Sequence, residues 1–366
     1  MKHVWRVLAG LYILALVLSL SGNLKALPEY GTHYGQSCQL CHVSATGGGM
    51  RNGYGAQFFS YTELPVHTMS FDALDSLQAS LGDKIRFGFD FRDLYYYSRP
   101  SNSPSLDQNS FVTMEGNFYV AFTPSDHAAV VFEKGLYNGY EAYAQINAGL
   151  GKPFVKVGHF MPYFGWQVED HRTFTRRFTG FGGETGVGNR EDGIEGGVIG
   201  EHWELTGAVT NGASVTSIDP NTGKAVTMRA ASRFKALGIP MTVGTNWRYL
   251  EFGKSAGPIS SMGGVFYGLD AGPVTWLGEA DVINQATGGY AWSNLLSWKI
   301  KQGWYLKQAV DVYTPDRSIS GNEWYRSRTA LTWVPTGYLS IEPGIEYLKN
   351  PIDKTLTADV MMHLWY

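Results

Sequence analysis

The sequence predicts an all-β protein, a porin-like antiparallel transmembrane β-barrel of roughly sixteen strands preceded by a small N-terminal segment that carries both cysteines. Three observations predict it. From Ile85 onward apolar and polar residues alternate in run after run; the connections between runs are by turns short and long; and 14% aromatic residues and 45 glycines accompany only two cysteines. Alternation gives each strand one apolar and one wet face. Aromatic belts and tight turns account for the composition.

The chain opens with Lys2 and Arg6, an apolar run over residues 7–20, and then Ser21, Gly22 and Asn23. This is the layout of a secretory signal peptide over residues 1–26, with cleavage expected after Ala26. The run is shorter than the roughly 18 residues a membrane-spanning helix needs, and no later stretch is long and apolar enough for one. The mean hydropathy of −0.17 agrees. Removing residues 1–26 leaves 26 Lys and Arg against 32 Asp and Glu, an acidic balance that does not suggest nucleic-acid binding.

Residues 27–71 form the next unit. Both cysteines fall in one pentapeptide, Cys38-Gln39-Leu40-Cys41-His42. C-x-x-C-H is the attachment signature of c-type haem: each thiol can form a thioether to a vinyl group, and the adjacent imidazole can reach the iron. Cys38, Cys41 and His42 are therefore the candidate cofactor residues for one covalent haem c, with His42 as the metal ligand. A structural zinc, a redox pair and a plain disulfide also use two cysteines. Zinc wants four protein ligands, a thioredoxin-like pair wants a βαβ context, and a disulfide gives His42 no role. The ligand on the other face of the iron is open among Met50, His33, His67 and Met69, and methionine would raise the reduction potential relative to histidine. The segment's place, in the lumen as a plug or on the periplasmic side, is also open.

Residues 72–366 are read as the barrel. Its first strand alternates Ile85, Phe87, Phe89 and Phe91 with Arg86, Gly88, Asp90 and Arg92, and sixteen such segments follow one another to the final row of Leu356, Ala358, Val360, Met362, Leu364 and Tyr366. With the first strand running outward, connections at residues 123–127, 148–152, 201–202, 237–240, 270–273, 301–303 and 335–337 are short. Those at 99–109, 161–192, 211–223, 251–260 and 314–322 are mostly long and polar. Short periplasmic turns and long extracellular loops are the pattern of outer-membrane barrels, with both termini periplasmic. The tight connection at 137–139 departs from it. An aromatic last residue after an alternating strand resembles the assembly signal of such proteins. A soluble β-sandwich or propeller would explain neither feature.

The longest loop, at residues 161–192, occupies the topological place of the loop that commonly narrows sixteen-stranded porins. Arg172, Arg176, Arg177 and Arg190 would there line an anion-attracting constriction. Alternatively, Glu169, Asp170, Glu184, Glu191 and Asp192 balance them in a solvated outer loop.

Signal peptide, Cys38-x-x-Cys41-His42 and following barrel together resemble the fused monohaem cytochrome-porins of the outer membrane, a family linked to extracellular electron transfer and, in one branch, to iron oxidation. The Gly158-x-Phe160-x-Pro162-x-x-Gly165 stretch is similar to segments of phosphate-selective and related porins. The resemblance implies a haem in or beneath the lumen, passing electrons between an extracellular redox partner or metal and periplasmic c-type cytochromes, with outer-membrane lipid around the barrel. A solute porin with the haem segment as plug or sensor, and a sheath around a separate multihaem cytochrome, are the rival readings. No further catalytic constellation is present, which favours an electron carrier over a dedicated enzyme.

Overall fold

The computed structural model describes residues 27–68, 80–102, 107–136, 139–168, 170–181, 190–212, 219, 222–250, 260–284 and 288–366. The expected signal peptide lies outside them. A two-residue strand β1 (Ser80–Leu81) pairs with β2 (Ile85–Pro100), which is followed by β3 (Gln108–Ser125), β4 (Ala128–Gly135), β5 (Tyr140–Asn147) and β6 (Pro153–Phe160). Next come β7 (Glu191–Ile199), β8 (Trp203–Thr210), β9 (Ala225–Ala236), β10 (Ile239–Leu250) and β11 (Ser260–Ala271). The last are β12 (Val274–Asn284), β13 (Gly289–Lys301), β14 (Trp304–Thr314), β15 (Trp324–Thr336), β16 (Leu339–Lys349) and β17 (Lys354–Trp365). From β2 to β17 each strand pairs antiparallel with the next, and β17 pairs back onto β2, so sixteen strands close into a barrel.

Each predicted strand segment falls on one of these sixteen. Alternation sets the faces: in β13, Ala291, Ser293, Ser297 and Lys299 are buried inside, while Tyr290, Trp292, Leu296, Trp298 and Ile300 point outward. A slip of one residue would put Lys299 on the apolar outer surface, so register is strongly specified. Outward Tyr290, Trp292, Tyr325 and Tyr347 lie towards the long-loop rim, and Trp203, Trp276 and Trp298 towards the short-turn rim. Two aromatic girdles with an apolar band between them are the pattern of a lipid-facing barrel wall. β9 and β10 are joined by a two-residue turn in which Leu237 and Gly238 both have positive φ, as the tightest hairpins require.

A barrel of this size ordinarily encloses an aqueous channel. Here the lumen holds the packed core. Met50 is buried among Tyr119, Ala121, Val131, Tyr143 and Phe160 of the wall, and Phe59 and Leu64 pack with Tyr305, Val334 and Trp365. From the opposite side Trp166, on the long loop, packs with Ala231, Phe266 and Leu277. The N-terminal segment thus lies inside the barrel as a plug, and the longest loop folds in to meet it.

Candidate functional site

The plug begins with a helix, Leu27–Tyr34, followed by a tight turn over Cys38–Leu40. Its chain returns to pair His42 with Arg51 and continues through a wide helical turn, Tyr54–Phe59, into Ser60–Thr62. The Cys41 and His42 amides both donate to the Cys38 carbonyl, each at 3.2 Å. Residues three and four apart on such a turn share one side. All three residues line one cavity.

Asn52 holds that turn. Its Nδ2 donates to the carbonyls of Gln39 (3.3 Å), Leu40 (3.0 Å) and His42 (3.3 Å), its Oδ1 accepts the Gly55 amide at 3.0 Å, and its own amide donates to Cys41 at 2.9 Å. Two glycines press against the cysteines. A Cβ on Gly47 would stand 2.5 Å from Cys38 Cβ and 3.2 Å from its Sγ; one on Gly55 would stand 2.9 Å from Cys41 Cβ and would run into the Cys41 carbonyl. Gly47, Gly48 and Gly49 have φ of 79°, 74° and 54°, three successive left-handed residues that only glycine adopts without strain. The run is thereby explained as the bend that turns the chain back beside Cys38.

Cys38, Cys41 and His42 line a cavity of about 1000 Å³ inside the barrel, at the upper end of the range for small-molecule and cofactor sites. The plug bounds it on one side. The long loop bounds it on the other, through Trp166, His171 and Arg172. Both thiols are free, so no disulfide joins them. Burial, then the neighbouring Cys38, push the Cys41 thiol up to about 11, with Arg51 opposing. Tyr163, buried at the start of the loop, sets its hydroxyl 3.6 Å from Cys38 Sγ. The Arg229 guanidinium lies 4.0 Å over the Tyr163 ring, and the Tyr163 amide donates to Glu195 at 2.8 Å.

The donor set fits a covalent haem: two thiols and an imidazole on one turn, facing a cavity. It does not fit a structural zinc, because among the described residues no three His, Cys, Asp or Glu are grouped to hold a metal ion. The candidates for the second iron ligand fare differently. Met50 is committed to the wall cluster, His33 Nδ1 pairs with Asp270 at 2.8 Å, and His67 is exposed beside Val66, whose amide bonds Val334 near the short-turn rim. None of the three lines the cavity. Met69 lies outside the described residues.

The inward fold of the long loop meets the expectation from topology, but two of its arginines are held in ion pairs, while Arg176 keeps Nε and Nη1 buried without a hydrogen-bond partner. Arg172 pairs with Asp170 (3.1 Å), Glu346 (3.4 Å) and Asp359 (3.5 Å), and Arg190 pairs with Glu141 (3.2 Å) and Glu133 (3.3 Å). Arg176 is buried against Met161 Sδ, and Arg177 lies over Phe178 and Trp324. Of the acids, Asp170 binds Arg326, Glu191 binds Arg248 at 2.5 Å and Asp192 meets His159 at 3.2 Å; Glu169 and Glu184 lie outside the described residues. Burial works to raise the Asp170 carboxyl, and Arg326, Arg172 and Arg328 together outdo it, holding it well below the usual carboxylate range. Among the described residues the buried charges lean acidic, thirteen Asp and Glu against nine Lys and Arg.

Asn52, Gly55, Tyr163 and the buried Lys156–Glu195 pair were not singled out by the sequence. Lys156 Nζ lies 2.7 Å from Glu195 Oε1 and 3.0 Å from Thr46 Oγ1, and it fastens the plug to β6 and β7. The signal for Asn52 and Gly55 was their place within fifteen residues of the motif. For Tyr163 and Lys156 there was none, because their partners in the plug, Cys38 and Thr46, lie more than a hundred residues away in the chain.

A closed sixteen-stranded antiparallel barrel with an inward-folded third long loop has the architecture of porins. No family model and no curated relative matches the chain. Solved structures do. The high-pH structure of OprB from Pseudomonas putida superposes with a TM-score of 0.57 at 11% identity, covering 84% of this chain and all of that one. OmpT of Vibrio cholerae, an outer-membrane protein, gives 0.56 at 6% identity over 79% of this chain and 100% of its own. An anion-selective porin from Comamonas acidovorans gives 0.53 at 8% over 77% and 99%. At such identities the likeness is one of fold.

Proposed function

We propose that the protein is an outer-membrane barrel that carries one covalent haem c on Cys38, Cys41 and His42 and passes electrons between an extracellular redox partner, a metal ion included, and periplasmic c-type cytochromes. The observation that carries this reading is the placement of the only C-x-x-C-H motif on the wall of a cavity that lies between plug and loop. The lipid-type outer surface supports the location, with the short-turn rim facing the periplasm. A haem held there supplies a one-electron centre within the membrane thickness. The chain's own groups do the rest. The thiols would anchor it, the His42 imidazole would supply a ligand to the iron, and the plug and loop narrow the path past it. A closed barrel lets a charged centre sit in this layer without meeting hydrocarbon.

A second reading has direct support from the fold comparisons: a solute porin, anion-preferring in one neighbour, whose N-terminal segment is plug or sensor. The paired Arg172 and Arg190 and the acid-leaning buried charges count against its anion form, whereas Arg176, on the cavity wall with two guanidinium nitrogens lacking a hydrogen-bond partner, counts for it. A sheath around a separate cytochrome is disfavoured, since the chain's own plug and loop already occupy the lumen on either side of the cavity.

Purified protein in liposomes, with a reductant outside and an acceptor enclosed, separates the readings. Electron transfer lost in His42→Ala, with low solute permeability in both proteins, is the expected result. A large steady ionic conductance with no haem-dependent transfer would replace this reading with the porin.

A further inference from the structure

We infer that His171, on the inward loop, is the protein ligand on the face of the haem iron opposite His42; the inference rests on the reading that Cys38, Cys41 and His42 hold that haem. His42 enters the cavity from the plug. The plug is fixed towards the short-turn rim, where the Val66 amide bonds Val334 (2.9 Å), Gln57 Nε2 donates to Tyr366 Oη (3.1 Å) and Trp365 Nε1 donates to Ser60 Oγ (3.2 Å). With His42 on the plug side, a second protein ligand would come from a group facing it across the cavity.

Besides His42, the histidines and methionines lining the cavity are Met114, Met161, His171, Met361 and His363. His363 stands at the plug's own level, two residues before Trp365, with Nε2 held 3.0 Å from Asp90 and its ring against Trp365. Met161 follows directly on β6 and packs against the buried cluster of Phe164, Phe181 and Met262, with its Sδ accepting Arg176 Nη2 at 3.4 Å. Met114 and Met361 belong to β3 and β17 and so reach in sideways from the wall. Within this set His171 stands on the stretch that faces the plug. Its chain neighbours pin it: Asp170 binds Arg326 near the long-loop end of β15, and Arg172 binds Glu346 on β16 and Asp359 on β17. Anchors on both sides fix the backbone at 171, the preorganisation a metal ligand needs, and imidazole is an established axial ligand of haem iron. None of the residues in this argument has a sequence-spacing signature relative to the motif.

The test uses full-length, haem-loaded protein, read by optical and EPR spectroscopy and by potentiometric titration. Wild type is expected to be low-spin and six-coordinate. His171→Ala should become high-spin while its haem-stained band is unchanged, and added imidazole should restore the low-spin spectrum. His171→Met should stay low-spin with a raised midpoint potential. A high-spin wild type, an unaltered spectrum and potential in His171→Ala, or conversion in His363→Ala instead, would overturn the assignment. If His171→Ala does not assemble, an unchanged potential in His171→Met overturns it equally. An unstained wild-type band is a different result, which removes the haem reading itself.

Discussion

Replacing Gly55 by alanine adds one methyl group where the structure has no room for it. The new Cβ would sit 2.9 Å from Cys41 Cβ and against the Cys41 carbonyl, and two of the three atoms it meets are backbone atoms of a turn already held by Asn52. Overpacking of this kind costs about 1–3 kcal/mol. The upper end applies here, because a backbone carbonyl cannot swing aside as a flexible side chain does. Gly55 does not have positive φ, so the effect is one of space and not of backbone conformation. The strain falls on the plug, which can open without unfolding the barrel. At 1.4 kcal/mol per decade, about 3 kcal/mol raises the open population by roughly two orders of magnitude. Native-state proteolysis follows that population when reclosure outpaces cleavage. Thermolysin should therefore cut within residues 27–68 about a hundredfold faster in Gly55→Ala, with heat-modifiable migration of the barrel unchanged. Gly207→Ala is the control, since its Cβ would meet nothing closer than 3.8 Å. Cleavage within threefold of wild type would refute the reasoning.

Denaturing electrophoresis with haem staining should show a band that Cys41→Ala weakens or abolishes when the host matures c-type cytochromes; an equally strong mutant band would count against thioether attachment. Lys156→Met leaves Glu195 buried without its cation, so it should destabilise the plug by about 3–5 kcal/mol in a urea–proteolysis assay, and adding Glu195→Gln should recover part of the loss. Deleting Trp365 and Tyr366 removes the bonds to Ser60 and Gln57 and the pairing of Tyr366 with Phe89, so both plug protection and barrel recovery should fall. The Asp170 carboxyl lies below its unfolded pKa of about 3.9, so its contribution is full above that value and is lost as pH falls below it. Loop closure, read as protection of residues 170–181 from proteolysis, should accordingly be flat from pH 8 to 5.

The strands were legible because their signal is local. A period-2 pattern is written into each run of eight or more residues, and pairing only copies it from strand to strand. Boundaries were less so: β7 begins at Glu191, not at the predicted Ile194, because Glu191, a buried lumen-side acid, and Asp192, its neighbour on the outer face, look like loop until Arg248 and His159 are seen opposite them. The C-x-x-C-H motif was legible for the same local reason, yet its location in the lumen was not. That depends on Gln145, Lys156 and Glu195 receiving residues 43–46 from across the barrel. The loop's inward path followed from topology, but the state of its arginines did not, because Glu346 and Asp359 arrive from the last two strands.

Where the plug is held decides between a wall and a gate. A gate swings about one edge, so its fastenings are concentrated there and its free side can part cheaply. This plug is fastened around the barrel: the Ala45 amide and Thr46 to β5 and β7, Ser60 and Val66 to β17 and β15, and His33 to Asp270 on β11, where Gly268 leaves space for Thr32. Each fastening alone contributes only about 0.5–1.5 kcal/mol net if it is a neutral hydrogen bond. Leaving the lumen breaks them together, strips Met50 and Phe59 of their buried surroundings and exposes the Lys156–Glu195 pair without Thr46. No single edge can open first without most of that loss, so solute passage by plug release is disfavoured from every side of the ring. Traffic that needs no displaced plug is compatible with this fastening, and the electron transfer proposed above is of that kind.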